Sequence, residues 1–163
     1  MRSHRSVVRL VTAIASALAV TLVLAGVTTT TSAAARPIPP GGSSAVLVIT
    51  NQTGMPLTLS RFPDTSVGAG SSSDFRWIDA PPATLNMGQT TVVRAWTSNP
   101  ATMGVEVTYS YTYRFDTTTT YRSSLGHIFG YTTLQDTGAS AGESVYANIF
   151  RYGPAMGATF VLS

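Results

Sequence analysis

Residues 104–115 read GVEVTYSYTYRF, and their alternation decides the fold. Val105, Val107, Tyr109, Tyr111, Tyr113 and Phe115 take turns with Glu106, Thr108, Ser110, Thr112 and Arg114. A period of two residues is that of a β-strand, whose successive side chains leave opposite faces. The stretch therefore predicts one long strand with an apolar face on a core and a polar face in water. Working outward, shorter runs of the same character precede it at Ala45–Thr50 (AVLVIT), Leu57–Arg61, Asp74–Ile78 (DFRWI) and Thr90–Thr97 (TTVVRAWT). Others follow at Gly126–Thr133, Ser144–Tyr152 (SVYANIFRY) and Ala158–Leu162. Asn51-Gln52-Thr53-Gly54 reads as a turn, and Pro81-Pro82 interrupts pairing because proline lacks the ladder donor. The Thr117–Thr120 run reads as a hairpin connection. Outside the first 35 residues no ten-residue window sets apolar residues at helical spacing. The expected fold is all-β, a single antiparallel β-sandwich of about seven to nine short strands.

The N-terminus sets the expected compartment. Arg2, Arg5 and Arg9 precede an apolar run, Leu10–Val27, and the small residues Ala33-Ala34-Ala35 follow. This is the order of a secretory signal, cleaved before Arg36. A membrane anchor is the competing reading, disfavoured by the small residues of the run and the cleavage site after it. Leu24-Ala25-Gly26 resembles the start of a lipoprotein signal, but Val27 stands where the lipidated cysteine must be. The expected organisation is a signal over residues 1–35, a Pro/Gly/Ser spacer over 36–44 (RPIPPGGSS) and a β-sandwich domain over 45–163, secreted and extracellular.

All ten cations of the 163-residue chain are arginine. Beyond residue 35 seven of them, at 36, 61, 76, 94, 114, 122 and 151, balance seven acids. A neutral domain with scattered cations has no means of displacing the counterions of a nucleic acid, so that partner class is set aside. There is no cysteine, which excludes disulfides, thiolate metal sites and a cysteine nucleophile. His127 is the one histidine beyond residue 35 and reads as a surface or packing residue. The acids form no ligand spacing, so no metal and no cofactor is expected. Gly138-Ala139-Ser140-Ala141-Gly142 has the letters of a nucleophile elbow without its strand-to-helix context, and reads as a flexible loop. No spacing favours a pair of carboxylates. Asn51-Gln52-Thr53 is a glycosylation triplet in form only.

Aromatic residues are the positive signal: seven Tyr, six Phe and two Trp all lie beyond residue 35. Most must fill the core. Trp77, Tyr131 and Tyr152 sit near expected strand ends, where an amphipathic ring can face a membrane interface or a sugar, and are the candidate ligand-binding residues. Aromatics gathered at one end would favour membrane contact, whereas a coplanar row on one sheet face would favour sugar binding.

Trp77-Ile78-Asp79-Ala80-Pro81-Pro82, then Leu85, Gly88 and Trp96, then Val105-Glu106-Val107-Thr108-Tyr109 follow one another along the chain. Val48–Gly54 and Leu57-Thr58-Leu59 open this order, and Gly157–Leu162 closes it. Over roughly residues 45–113 and the last strand, the chain resembles the small secreted proteins related to insecticidal crystal toxins and aegerolysins. Met87 departs from that pattern where a proline would precede Gly88, and Thr102–Glu106 is a loosened version of its segment. The resemblance implies an actinoporin-like cytolysin architecture with lipid or membrane recognition and no catalysis. The expected function is a non-enzymatic bacterial exoprotein that binds a membrane lipid or cell-surface component, as a toxin or cytolysin-like partner. A carbohydrate-binding module or a loop-mediated inhibitor is the alternative. The expected partner is a membrane lipid or cell-surface glycan, with a protein partner or homo-oligomer also open.

Overall fold

Alternation of the kind read from the sequence of residues 104–115 is plainest in the burial of Ser43–Asn51, and the described strands gather into two sheets. The computed structural model describes residues 36–63, 74–113 and 116–163. In chain order the strands are β1 (Ser43–Asn51), β2 (Leu57–Arg61), β3 (Arg76–Asp79), β4 (Thr84–Leu85), β5 (Thr90–Thr97), β6 (Thr102–Tyr113), β7 (Thr117–Ile128), β8 (Tyr131–Leu134), β9 (Gly138–Ala139), β10 (Val145–Arg151) and β11 (Ala155–Leu162). No helix occurs among the described residues. One sheet has the order β10-β11-β1-β5-β3; the other has β4-β2-β6-β7-β8, with β9 also paired to β7.

The all-β expectation holds, with corrections. Eleven strands stand in place of seven to nine, because the two-residue β4 and β9 are too short to carry a period. The sheets are not wholly antiparallel: β1 and β11 pair in parallel, Ala45 opposite Met156 through Asn51 opposite Leu162. Thr117–Thr120 is no connection but the start of β7, paired with Ser110–Tyr113; β-branched threonine suits a pleated ladder. The expected spacer also contributes to the fold. Ser43 and Ser44 belong to β1, Ser43 Oγ donates to Asn99 O (2.7 Å), and Gly41 O accepts Trp96 Nε1–H (2.9 Å). The expected signal and its cleavage site lie outside the described residues.

Between the sheets lies one core. Ala45, Leu47 and Ile49 of β1, Val93 and Ala95 of β5, and Met156, Ala158, Phe160 and Leu162 of β11 meet Met103, Val105, Val107 and Tyr109 of β6 and Tyr121 and Leu125 of β7. Each large apolar side chain buried there contributes about 1.5–3 kcal/mol. Tyr109 is fully buried and donates its hydroxyl to Pro82 O at 2.9 Å. Burial pushes its phenol well above the ordinary tyrosine range. The same holds for Tyr121, where the negative charge of Glu143 adds to the effect of burial.

The long strand departs from its expected faces at both extremes. Tyr111 is only half-buried, its ring stacked on Tyr121 at 6.3 Å and 30°. Tyr113 is 58% exposed, so the inward face ends before it; Arg114 and Phe115 lie outside the described residues. On the face expected to be wet, Glu106 and Thr108 are buried. Arg61 and Arg122 cover the Glu106 carboxylate, their Nε atoms 3.7 and 3.8 Å from Oε1.

Candidate functional site

At one end of the molecule the β7–β8 turn, the β10–β11 turn, the β5–β6 connection and the start of β1 come together. The β7–β8 ladder closes with Ile128 opposite Tyr131, which leaves Phe129-Gly130 as a two-residue turn. Both turn residues have positive φ, 45° and 93°. This mirror-image geometry matches the twist of paired strands, and it selects Asn-Gly because a Cβ in the left-handed region meets the carbonyl oxygen. Phenylalanine at such a position costs about 1 kcal/mol. No core packing offsets that cost, since the side chain faces solvent with the residue 75% exposed. The backbone beneath is fixed: Phe129 N–H donates to Ala101 O at 2.7 Å.

A second turn is tied to the first. Gly153 N–H donates to Thr132 Oγ1 at 2.9 Å, which joins the β10–β11 turn to β8. The bond sets Tyr152, 67% exposed, close to the strand that begins with Tyr131, 78% exposed. Ile128 is also exposed at this end. Two of the three residues singled out from sequence, Tyr131 and Tyr152, are thus brought to one surface. Sequence reasoning passed over Phe129, which lies inside the expected strand Gly126–Thr133. The available signal was a Phe-Gly pair, where Asn-Gly would ordinarily mark a turn between two β runs.

Trp77 is not part of this surface. It lies on β3, at the far side of the first sheet, with β5, β1 and β11 between it and β10. That is ~19 Å of sheet, at about 4.8 Å per strand. The ring expected to face a ligand is half-buried against the core, and Nε1–H donates to Pro63 O at 3.1 Å. The physical reason is the pleat: Trp77 is opposite Ala95 and shares its inward face, while Arg76 and Asp79 take the outer one opposite Trp96 and Arg94.

Other groups flagged in the sequence are accounted for structurally. His127 is buried on the inner face of β7, in register with Met103 and Thr132, and its Nδ1 has no partner among the described residues. No group of three potential metal ligands occurs among the described residues. Ser140 Oγ accepts the N–H of Thr120 at 3.0 Å, beside a turn in which Ala141 and Gly142 have positive φ. Asn51 Nδ2 is buried and donates to Met55 O and Leu85 O at 2.8 and 2.9 Å, so the folded chain offers no nitrogen for a glycan. On the outer face of the first sheet, the Phe150 ring lies over Gly157, where an added Cβ would sit 2.5 Å from Cε2. Tyr146 points outward from the same strand, but valine and threonine occupy the middle of that face and interrupt any row of rings.

No family model matches the chain, and no curated protein matches it. Among solved structures, one described as the lipid binding protein Nakanori is similar over 75% of this chain and 71% of its own, at 11% identity and a TM-score of 0.44. So loose a superposition says nothing about the ligand of the end described above.

Proposed function

We propose that the protein is a secreted, non-enzymatic module that docks the end bearing Phe129, Tyr131 and Tyr152 onto a lipid membrane surface. The observation that carries this reading is the Phe129 ring, exposed at a strained turn position whose backbone is held in place. Strain kept without a packing return marks a group that works outside the fold. On a bilayer, Phe129 and Ile128 would enter the acyl boundary. Tyr131 and Tyr152 would sit at headgroup level with their hydroxyls in the wet layer, the usual place of amphipathic rings. Burial of three rings gives about 5 kcal/mol, the range of a reversible, sub-millimolar association. Because the chain beyond residue 35 carries as many arginines as acids, attraction to anionic lipid adds little, and binding should change little with salt. Gathering at one end, rather than a row on a sheet face, favours a membrane over a glycan.

The test is co-sedimentation with vesicles of phosphatidylcholine, alone and with sphingomyelin or sterol. Wild type should pellet with at least one composition at low and high salt. Phe129→Asn should bind at least about tenfold more weakly yet melt no lower, because asparagine tolerates the left-handed turn. Retention on none of the vesicles, or unchanged binding by Phe129→Asn, would refute the reading. Dye release from the same vesicles separates a cytolysin from a binder.

A further inference from the structure

The geometry points to a second interaction surface, independent of the lipid-binding end: the free edge of β10, which we propose pairs with β10 of a second copy of this chain. β10 ends its sheet, with β11 on one side and no strand of the described residues paired on the other. The direction of its backbone groups follows from one pair of bonds. Ser144 N–H donates to Ser163 O, and Ser163 N–H donates to Ser144 O. Residues that exchange both bonds alternate with residues that exchange none, so Tyr146 and Asn148, opposite Val161 and Thr159, bond to β11. The N–H and C=O groups of Val145, Ala147 and Ile149 therefore point away from the sheet.

Other edges are short. β3 has four residues and a register break, β8 has four and β4 has two. β10 runs for seven residues, holds neither proline nor lysine, and is irregular only at its Ile149–Arg151 end. A long edge without such devices is a template for another strand.

The sequence of β10 is self-complementary. Antiparallel pairing about a two-fold axis at Ala147 sets Val145 opposite Ile149 and Ala147 opposite its own counterpart. Each of these pairs uses only the outward-facing groups, so every pair exchanges two hydrogen bonds. The same register sets Arg151 of one copy opposite Glu143 of the other at both ends, and both residues are exposed. With no net charge on the chain beyond residue 35, long-range repulsion between copies is small.

Sedimentation velocity of the protein across about 1–100 µM, without lipid, tests the proposal. Wild type should shift from monomer towards dimer as concentration rises. Ala147→Pro removes an N–H that serves no bond within the chain and a proline is tolerated on the solvent side of an edge, so this variant should stay monomeric with an unchanged circular dichroism spectrum. If Ala147→Pro fails to fold, the double variant Tyr146→Lys/Asn148→Lys supplies the block from two exposed positions: the proposed register sets residue 146 of one copy opposite residue 148 of the other, so like charges face each other and this variant too should be monomeric. Wild type that remains monomeric throughout, or a folded Ala147→Pro or Tyr146→Lys/Asn148→Lys variant that still dimerises like wild type, would overturn the proposal. Failure here would leave the vesicle result untouched, since β10 pairing and the Phe129 turn use different groups.

Discussion

Trp77 packs edge-on against Phe75 at 5.4 Å and 90° and against Phe62 at 6.0 Å and 64°, with its indole N–H on Pro63 O. Replacing the ring with a methyl group removes two aromatic contacts and orphans a carbonyl. Trp77→Ala should therefore cost about 2–4 kcal/mol in urea unfolding, with vesicle binding of the folded variant unchanged; a loss under about 0.5 kcal/mol would show a ring that hangs free. Of the three rings near expected strand ends, Tyr131 and Tyr152 are exposed and Trp77 is half-buried. Strand residues alternate between faces, and which face Trp77 takes is set by its register with Ala95, a long-range pairing that no local sequence states. Phe129 was hidden for the opposite reason. Its apolar character reads as strand, and only the pairing of Ile128 with Tyr131 reveals a turn.

At the scale of elements, the exit of β1 hangs on one side chain. Asn51 Oδ1 accepts the N–H and the hydroxyl of Thr53 at 2.9 and 2.7 Å, while Nδ2 bonds the carbonyls of Met55 and Leu85. The residue thus joins the β1–β2 loop to the short β4. Asn51→Ala leaves buried polar groups unpaired and should cost about 3 kcal/mol. Hydrogen exchange should quicken first at Thr53 and Met55, ahead of the β6–β7 ladder, and uniform protection would count against this role. The strand β6 was legible because twelve residues repeat their period. β4 and β9 were not legible, and neither was the parallel direction of β11, since periodicity gives a strand its faces and not its heading.

Across the whole molecule, the buried phenols of Tyr109 and Tyr121 set an alkaline limit. Their pKa values are raised in the folded state, so the folded protein holds protons that the unfolded chain releases above about pH 10. Stability is full below that pH and falls as pH rises through the window above it, by up to about 1.4 kcal/mol per pH unit for each tyrosine. Absorbance titration should show the phenols of Tyr109 and Tyr121 ionising only together with loss of the near-ultraviolet circular dichroism signal. Ionisation of these two phenols near pH 10 while that signal persists would contradict the burial. The balance of charge and the wealth of aromatic residues were plain from composition alone, yet their distribution between core and surface depends on pairings that span the chain.

The pairing of β1 with β11 also orders events in time. β1 is the middle strand of its sheet, and one of its two neighbours, β11, is the strand furthest from it along the described chain. Until Ala155–Leu162 emerges, Ala45, Leu47 and Ile49 have an open flank, however much of the chain already exists. Closing a loop that spans nearly the whole domain is slow and brings no reward before its two ends meet. A growing chain of this design therefore keeps one flank of its central strand pliable until residues 155–162 have joined it.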